Sequence, residues 1–247
     1  MDRLPPGHPS AADYPSRPSA DSTWRQAIAG FAEAWQRHQE RWPRPAEKPE
    51  CAPTEPELER ACENIKTAEH VITSWLRSIE AQHPGRILAG LEHSVKGQDR
   101  LVAKAKQDVV DKPGRSIEMA LTLIPDAVRY TFCYEAEDYA VGVGDDIDRL
   151  KVAGFEMLKL KNLWSDSEYK GINSQWRDTW TGQRFEVQFH TAISFEAKEL
   201  THEAYERLRN PLPATNRHEL LALHKLQREV AAKVPLPPGV ENIRDQL

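Results

Sequence analysis

Cysteine is nearly absent from this chain. Cys51, Cys62 and Cys133 are the only three in 247 residues, too few and too scattered for a disulfide framework or a zinc knuckle. An excess of positive charge is missing too. Lys and Arg number 33 against 38 Asp and Glu, a net charge of −5, which argues against a dedicated DNA-binding protein. No apolar run approaches the ~20 residues that span a bilayer. Mean hydropathy is −0.67, and the start lacks the charged-then-apolar pattern of a secretory leader. A soluble protein acting in the cytoplasm, with no membrane partner, is the expectation, with secretion by a specialised route left open. Two common motifs also fail. Gly142-Val143-Gly144 begins like a dinucleotide fingerprint, but Ile147 stands where its third glycine belongs and the run lies in a helical pattern. His202-Glu203 is followed by Glu206 where a zinc-protease helix needs its second histidine.

The length allows one medium domain with extensions. Residues 1–53 read as a Pro-rich N-terminal extension carrying one helix, with Trp24, Ile28, Phe31 and Trp35 on one side. A long helix follows over about 55–81, its stripe formed by Leu58, Ala61, Ile65, Ala68, Ile72, Trp75 and Ile79. Another is expected over about 86–110. It would project Lys96, Arg100 and Lys104 from one face, as a solvated ion-paired surface or as a polyphosphate site.

Strands are expected over 124–132 and 155–163, with a helix over 137–153 between them. The densest signal runs from Lys161 to Tyr205. Phe185, Val187 and Phe189 alternate with Arg184, Glu186, Gln188 and His190, and Trp180-Thr181-Gly182-Gln183 has hairpin-tip chemistry, pairing this strand with Ile172–Trp176. A carboxylate, an amide and an imidazole on one strand face point to function more than to solvation. A helix then buries Phe195, Leu200, Ala204 and Leu208 and carries His202 and Tyr205. A last helix, 216–233, turns Leu220, Leu223, Leu226 and Val230 inward, and 235–247 is a polar tail. The fold class is α+β, a small mixed or antiparallel sheet flanked by helices, with the main domain at 54–234. Asp126 and Glu186 on that sheet, with Lys96, Arg100, Lys104, Arg129, Lys161 and Lys170 around it, suit Mg²⁺ and nucleotide phosphates.

Arg129-Tyr130-Thr131, Lys161, Tyr169-Lys170-Gly171-Ile172-Asn173, Gly182, Phe185-Glu186-Val187-Gln188-Phe189-His190-Thr191, His202 and Tyr205 together resemble the alarmone synthetase domain of the RelA/SpoT type. The small standalone branch, with its ATP:nucleotide 3′-pyrophosphokinases and toxin domains, is the most similar. Lys96-Gly97 with Arg100 and Lys104 is similar to the family's donor-nucleotide helix. The resemblance covers roughly 87–209 and implies transfer of pyrophosphate from ATP to the 3′-hydroxyl of a purine nucleotide. It implies Mg²⁺ on Asp126 and Glu186. Lys96, Arg100, Lys104 and Lys161 would then hold the donor, and Gln188 and His190 would shape the acceptor side. His202 and Tyr205 would line or brace that pocket. Asp126 precedes Arg129 by three residues where the family spaces them by five, and Ser94 replaces a usual arginine. Ile172 takes the place of a guanine-stacking tyrosine and Trp176 that of a histidine. That shift favours adenine nucleotides over GDP or GTP, with Trp176 as a substitute platform. The 3′ end of tRNA and an inactive binding module remain alternatives. No His-Asp dipeptide of the companion hydrolase occurs, so a toxin with an antitoxin or immunity partner, or a stress enzyme, fits the pattern.

Overall fold

Pro56 opens the first helix described by the computed structural model, which covers residues 56–83, 85–112, 114–210 and 216–246. These residues all fall within one compact unit, Arg44–Leu247. The Trp-bearing helix and proline linker expected before residue 54 lie outside the described residues.

Helix α1 (Pro56–Ala81) buries Leu58, Ala61, Ile65, Ala68, Ile72 and Ile79. Leu76, not Trp75, completes the stripe. Trp75 falls roughly 60° round the helix from the stripe's centre and is 49% exposed.

The single helix expected from 86 to 110 is instead three elements. Strand β1 (Arg86–Ala89) comes first, then a 3₁₀ turn (Leu91–His93), then helix α2 (Gln98–Asp111). Gly90 takes the left-handed conformation, with φ of 65°, that breaks the run. Lys96 thus lies ahead of α2, its amide bonded to Ala127 O at 3.0 Å. A short helix α3 (Ile117–Thr122) follows, capped by Ser116, whose side chain accepts from the Met119 amide. The turn over 124–127 then delays strand β2 (Arg129–Tyr134), so Asp126 sits in a turn and not on a strand.

Helix α4 (Tyr139–Val152), strands β3 (Phe155–Asn162), β4 (Ile172–Asp178) and β5 (Arg184–Thr191), and helices α5 (Ala192–Arg209) and α6 (Arg217–Ala231) complete the order. The sheet runs β1-β2-β5-β4-β3, with β2 and β5 parallel and the other pairs antiparallel. This is the expected mixed α+β arrangement, with β1 as an added edge. The β4–β5 hairpin closes at the expected tip. Asp178 holds it by accepting from the Trp180 amide at 3.1 Å and the Thr181 hydroxyl at 2.5 Å.

Alternation divides the sheet into two unlike faces. Tyr130, Phe132 and Tyr134 of β2, Phe185, Val187 and Phe189 of β5, Ile172 and Trp176 of β4 and Leu160 of β3 form an apolar face, each side chain almost fully buried. Burying each such side chain contributes roughly 1.5–3 kcal/mol. Helices α1 and α4 cover it: Thr73 meets the Tyr130 hydroxyl at 2.8 Å, and the Tyr139 hydroxyl donates to Phe189 O at 2.7 Å.

On the other side α5 and α6 pack together. Their helical period is the expected one but the phase differs. Ser194, Thr201 and Ala204 face inward on α5, and Gln227 and Ala231 on α6, while Leu200 and Leu226 are exposed. The Thr191–Ser194 capping box fixes where α5 leaves β5, and small side chains let it lie close. The stretch expected as a polar tail joins the sheet's outer edge. Gln246 bridges Leu160 in both directions, and Asn162 Nδ2 donates to Val240 O and Ile243 O at 2.8 Å. No described helix is long and apolar enough to cross a membrane.

Candidate active site

The second face of the sheet is polar. Register sets its side chains in rows across the strands. Lys159, Gln175, Glu186 and Arg129 form one row, and Lys161, Asn173, Gln188 and Thr131 the next. His190 and Cys133 continue it toward the C-terminal ends of β5 and β2.

At the opposite end, ahead of β2, Asp126 accepts from Lys96 Nζ at 2.5 Å and from Lys104 Nζ at 2.6 Å. Burial alone would push this carboxyl up. The hydrogen bonds from Lys104 and Lys96, with their charges, outweigh it and hold Asp126 at about 2. The two lysines therefore converge although only Lys104 is on α2. Arg100, one turn before Lys104, is largely exposed and reaches 3.8 Å from Glu206 of α5.

Glu186 is the other carboxylate. Its amide bonds Val128 O at 2.9 Å, and its Oε1 accepts from Gln188 Nε2 at 2.6 Å. Burial raises its pKa, and Arg129 opposite and the Gln188 bond only partly offset that. Gln188 Oε1 is buried with no partner among the described residues. An orphaned acceptor beside a desolvated carboxylate is open to a donor from beyond the described residues.

Several expected site residues lie elsewhere. His190 is fully buried: Nδ1 meets Ser194 Oγ at 2.9 Å and Nε2 meets the Tyr169 hydroxyl at 2.9 Å. Burial keeps it well below the usual imidazole value, so it is a neutral brace under the site. Lys170 donates to Trp164 O at 2.9 Å and Asp166 O at 2.6 Å, tying down the loop before β4. Trp176 and Ile172 are fully buried on the apolar face, with Trp176 Nε1 bonded to Ser174 Oγ at 2.8 Å. Neither reaches the polar face, so the adenine preference argued from these two positions has no geometric basis. Lys161 and Asn173 do belong to the polar rows, and Lys161 is exposed. His202 is half-buried on α5, its pKa lowered by that burial, and Tyr205 is exposed.

Two residues outside the expected set belong here. The Tyr169 hydroxyl donates to Asn173 Oδ1 at 2.8 Å, linking the loop, β4 and His190. Lys198, one turn before His202, is only 13% exposed and lies over the polar face. Nothing in the local sequence marked it, because a lysine on a helix reads as solvated.

Asp126 and Glu186 offer hard oxygens, and no cluster of three or more His, Cys, Asp or Glu metal ligands occurs among the described residues. Two carboxylates suit Mg²⁺, which takes its remaining ligands from phosphates and water. They suit neither zinc nor a protein-only calcium cage.

No protein-family model and no curated protein sequence matches this chain. Solved structures do. Small alarmone synthetase 1 from Bacillus subtilis, bound to its product pppGpp, aligns over 72% of this chain and 91% of its own, at 15% identity and a TM-score of 0.52. A GTP pyrophosphokinase family protein from Streptococcus pneumoniae aligns over 73% and 92%, at 14% identity and a TM-score of 0.50. The type VI effector Tas1, solved with its immunity protein, aligns over 74% and 100%, at 18% identity and a TM-score of 0.48. At such identities the likeness is one of fold: this chain has the fold of the small alarmone synthetases.

Proposed function

We propose that this protein transfers the β,γ-pyrophosphoryl group of ATP to the 3′-hydroxyl of a purine nucleotide, releasing AMP. The observation that carries the proposal is the polar face itself. A carboxylate clamped by two lysines stands at one end, and a desolvated carboxylate beside an orphaned amide oxygen stands further along the same strands. Phosphoryl chemistry asks a protein mainly for positioning and charge stabilisation, and this arrangement supplies both.

Lys96, Lys104 and Arg100 hold the donor's phosphates, exchanging their carboxylate contacts for phosphate oxygens. The acceptor's 3′-hydroxyl lies against Glu186, with Gln188 Oε1 accepting from the acceptor. Its oxygen attacks the β-phosphorus, the bond from that phosphorus to the oxygen of the α-phosphate breaks, and AMP leaves with that oxygen. Glu186 takes the hydroxyl proton, a task that its raised pKa favours. Arg129, facing Glu186 across the strands, favours the ionised carboxylate against the burial that raises its pKa. Asp126 and Glu186 are the residues that would hold Mg²⁺, which when bound neutralises charge on the donor phosphates.

The test is purified protein with γ-labelled ATP and Mg²⁺, supplied in turn with ADP, GDP, GTP and tRNA, and products resolved by chromatography. Label on a purine nucleotide with one AMP formed per transfer is the expected result. Label on tRNA alone would overturn the acceptor class, and no transfer to any acceptor would overturn the activity. Expression should arrest growth as ATP falls, and a Glu186→Gln variant should not.

A further inference from the structure

Lys198 is a cation the reaction scheme leaves unused. Helix α5 starts at the end of β5 and carries this side chain back over the polar face, where it is only 13% exposed. The groups facing it are Arg129 and Cys133 from β2, Glu186 and His190 from β5, and Glu199 and His202 from α5 itself. Its ammonium sits 4.9 Å from the centre of the Phe195 ring. Within ion-pair distance among the described residues is only Glu199 Oε1, at 3.1 Å. That is its immediate chain neighbour, a spacing at which helical side chains do not face one another. A buried ammonium that faces an arginine and has one carboxylate, its own chain neighbour, within ion-pair distance keeps the capacity to meet an anion from outside.

The register says where that anion would lie. From Arg129 to Cys133 the parallel strands advance about 13 Å. Lys96 and Lys104 stand ahead of the first position, Glu186 lies beside it, Gln188 lies beside the middle, and Lys198 hangs from α5 over the stretch between Arg129 and Cys133. A reaction between two phosphorylated molecules needs an anion site on each side of the reacting hydroxyl, and the lysines at Asp126 provide only one.

We infer that Lys198, with His202 one turn along, forms a second anion site that binds the 5′-phosphates of the acceptor, so that the enzyme selects a nucleotide over a nucleoside. This rests on the pyrophosphokinase reading above. The residue is substrate-binding, and its effect belongs in the acceptor KM.

The experiment measures initial rates at saturating ATP with GDP, ADP, guanosine and adenosine as acceptors, for wild type, Lys198→Met and Lys198→Arg. Lys198→Met should raise KM for the diphosphate acceptor about 10- to 100-fold, the worth of a charge-assisted phosphate contact. The KM for ATP and that for the nucleoside should move less than about threefold, and Lys198→Arg should recover most of the loss. An equal rise for nucleoside and nucleotide, a change confined to the ATP KM, or no change would overturn the site. If wild type transfers to no acceptor, the activity fails separately. Calorimetric titration with GDP in a Lys104→Ala background, which disables the other phosphate end, then reads the site directly. Binding lost in Lys198→Met and kept in Lys198→Arg supports it, and equal binding in all three overturns it.

Discussion

Replacing Asp126 by asparagine tests whether its contacts with Lys96 and Lys104 are a stabilising clamp as well as a functional one. The carboxyl is held at about 2, against 3.8 for the free side chain. At about 1.4 kcal/mol per unit, a shift of this size is an upper bound of about 2.5 kcal/mol. The side chain is 19% exposed and its two lysines 20% and 38%, so solvent screening trims that to about 1–2 kcal/mol. A loss of this order lowers Tm by about 2–8 °C for a domain of this size. The sign follows from the direction of the shift. A depressed carboxyl stabilises the fold fully above 3.8, and the contribution fades as pH falls toward 2. Urea unfolding of wild type and Asp126→Asn should therefore show the full gap at pH 7 and pH 5 and a shrinking one at pH 3. The same variant frees both lysines, so inorganic triphosphate in metal-free buffer should bind it more tightly than wild type, even though transfer is lost. Equal stability at pH 7, or a gap that persists undiminished at pH 3, would refute the electrostatic account. Weaker triphosphate binding would refute the role of the lysines as phosphate ligands.

Glu186→Gln should lose about 10²- to 10⁴-fold in transfer rate while gaining stability at pH 8. A carboxyl raised on burial favours the fold below 4.5 and loses that contribution as pH rises through its folded value, so the gain should vanish near pH 4; a less stable variant at pH 8 would contradict the burial argument. Gly171→Ala would set a Cβ 2.7 Å from His190 Cε1, a ring held at both nitrogens. It should cost about 1–3 kcal/mol in urea unfolding, and wild-type stability would show the brace to be loose. Trp176→Phe removes the bond to Ser174 from a sealed core and should cost about 1–3 kcal/mol while leaving acceptor preference untouched. A changed preference would place Trp176 in the pocket after all.

What was legible in the sequence was periodic. The alternation of β5 and its hairpin with β4 appear in the structure as read, because one buried face fixes a strand's register. The long stripe of α1 is equally plain, apart from the exchange of Trp75 for Leu76. Illegible were the features that depend on a partner distant in sequence. Arg86–Ala89 is too short to reveal its own period, and it is a strand because β2 offers an open edge. The phase of α5 and α6 is set by where a cap releases the chain and by small side chains at their contact. The site divides in the same way. Glu186 and Gln188 stand out because polar groups interrupt an apolar alternation. The convergence of Lys96 with Lys104 was inferred from a helix that does not include Lys96, and it holds because Val95 bridges Val128 and brings residue 96 beside the Asp126 turn. Lys198 left no mark, since a lysine on a helix reads as solvated until a sheet is placed beneath it. The acceptor argument failed for a related reason. Ile172 and Trp176 lie at odd offsets from Asn173 and Gln175, and strand parity alone sends the first pair into the core and the second onto the polar face. Among the described strand residues, only those sharing the parity of Asn173 reach the polar face, so under the proposed activity a reader of the acceptor base on β4 or β5 has that parity. That points the search to the rows carrying Glu186, Gln188 and Lys161 and to the helix turn that holds Lys198 and His202.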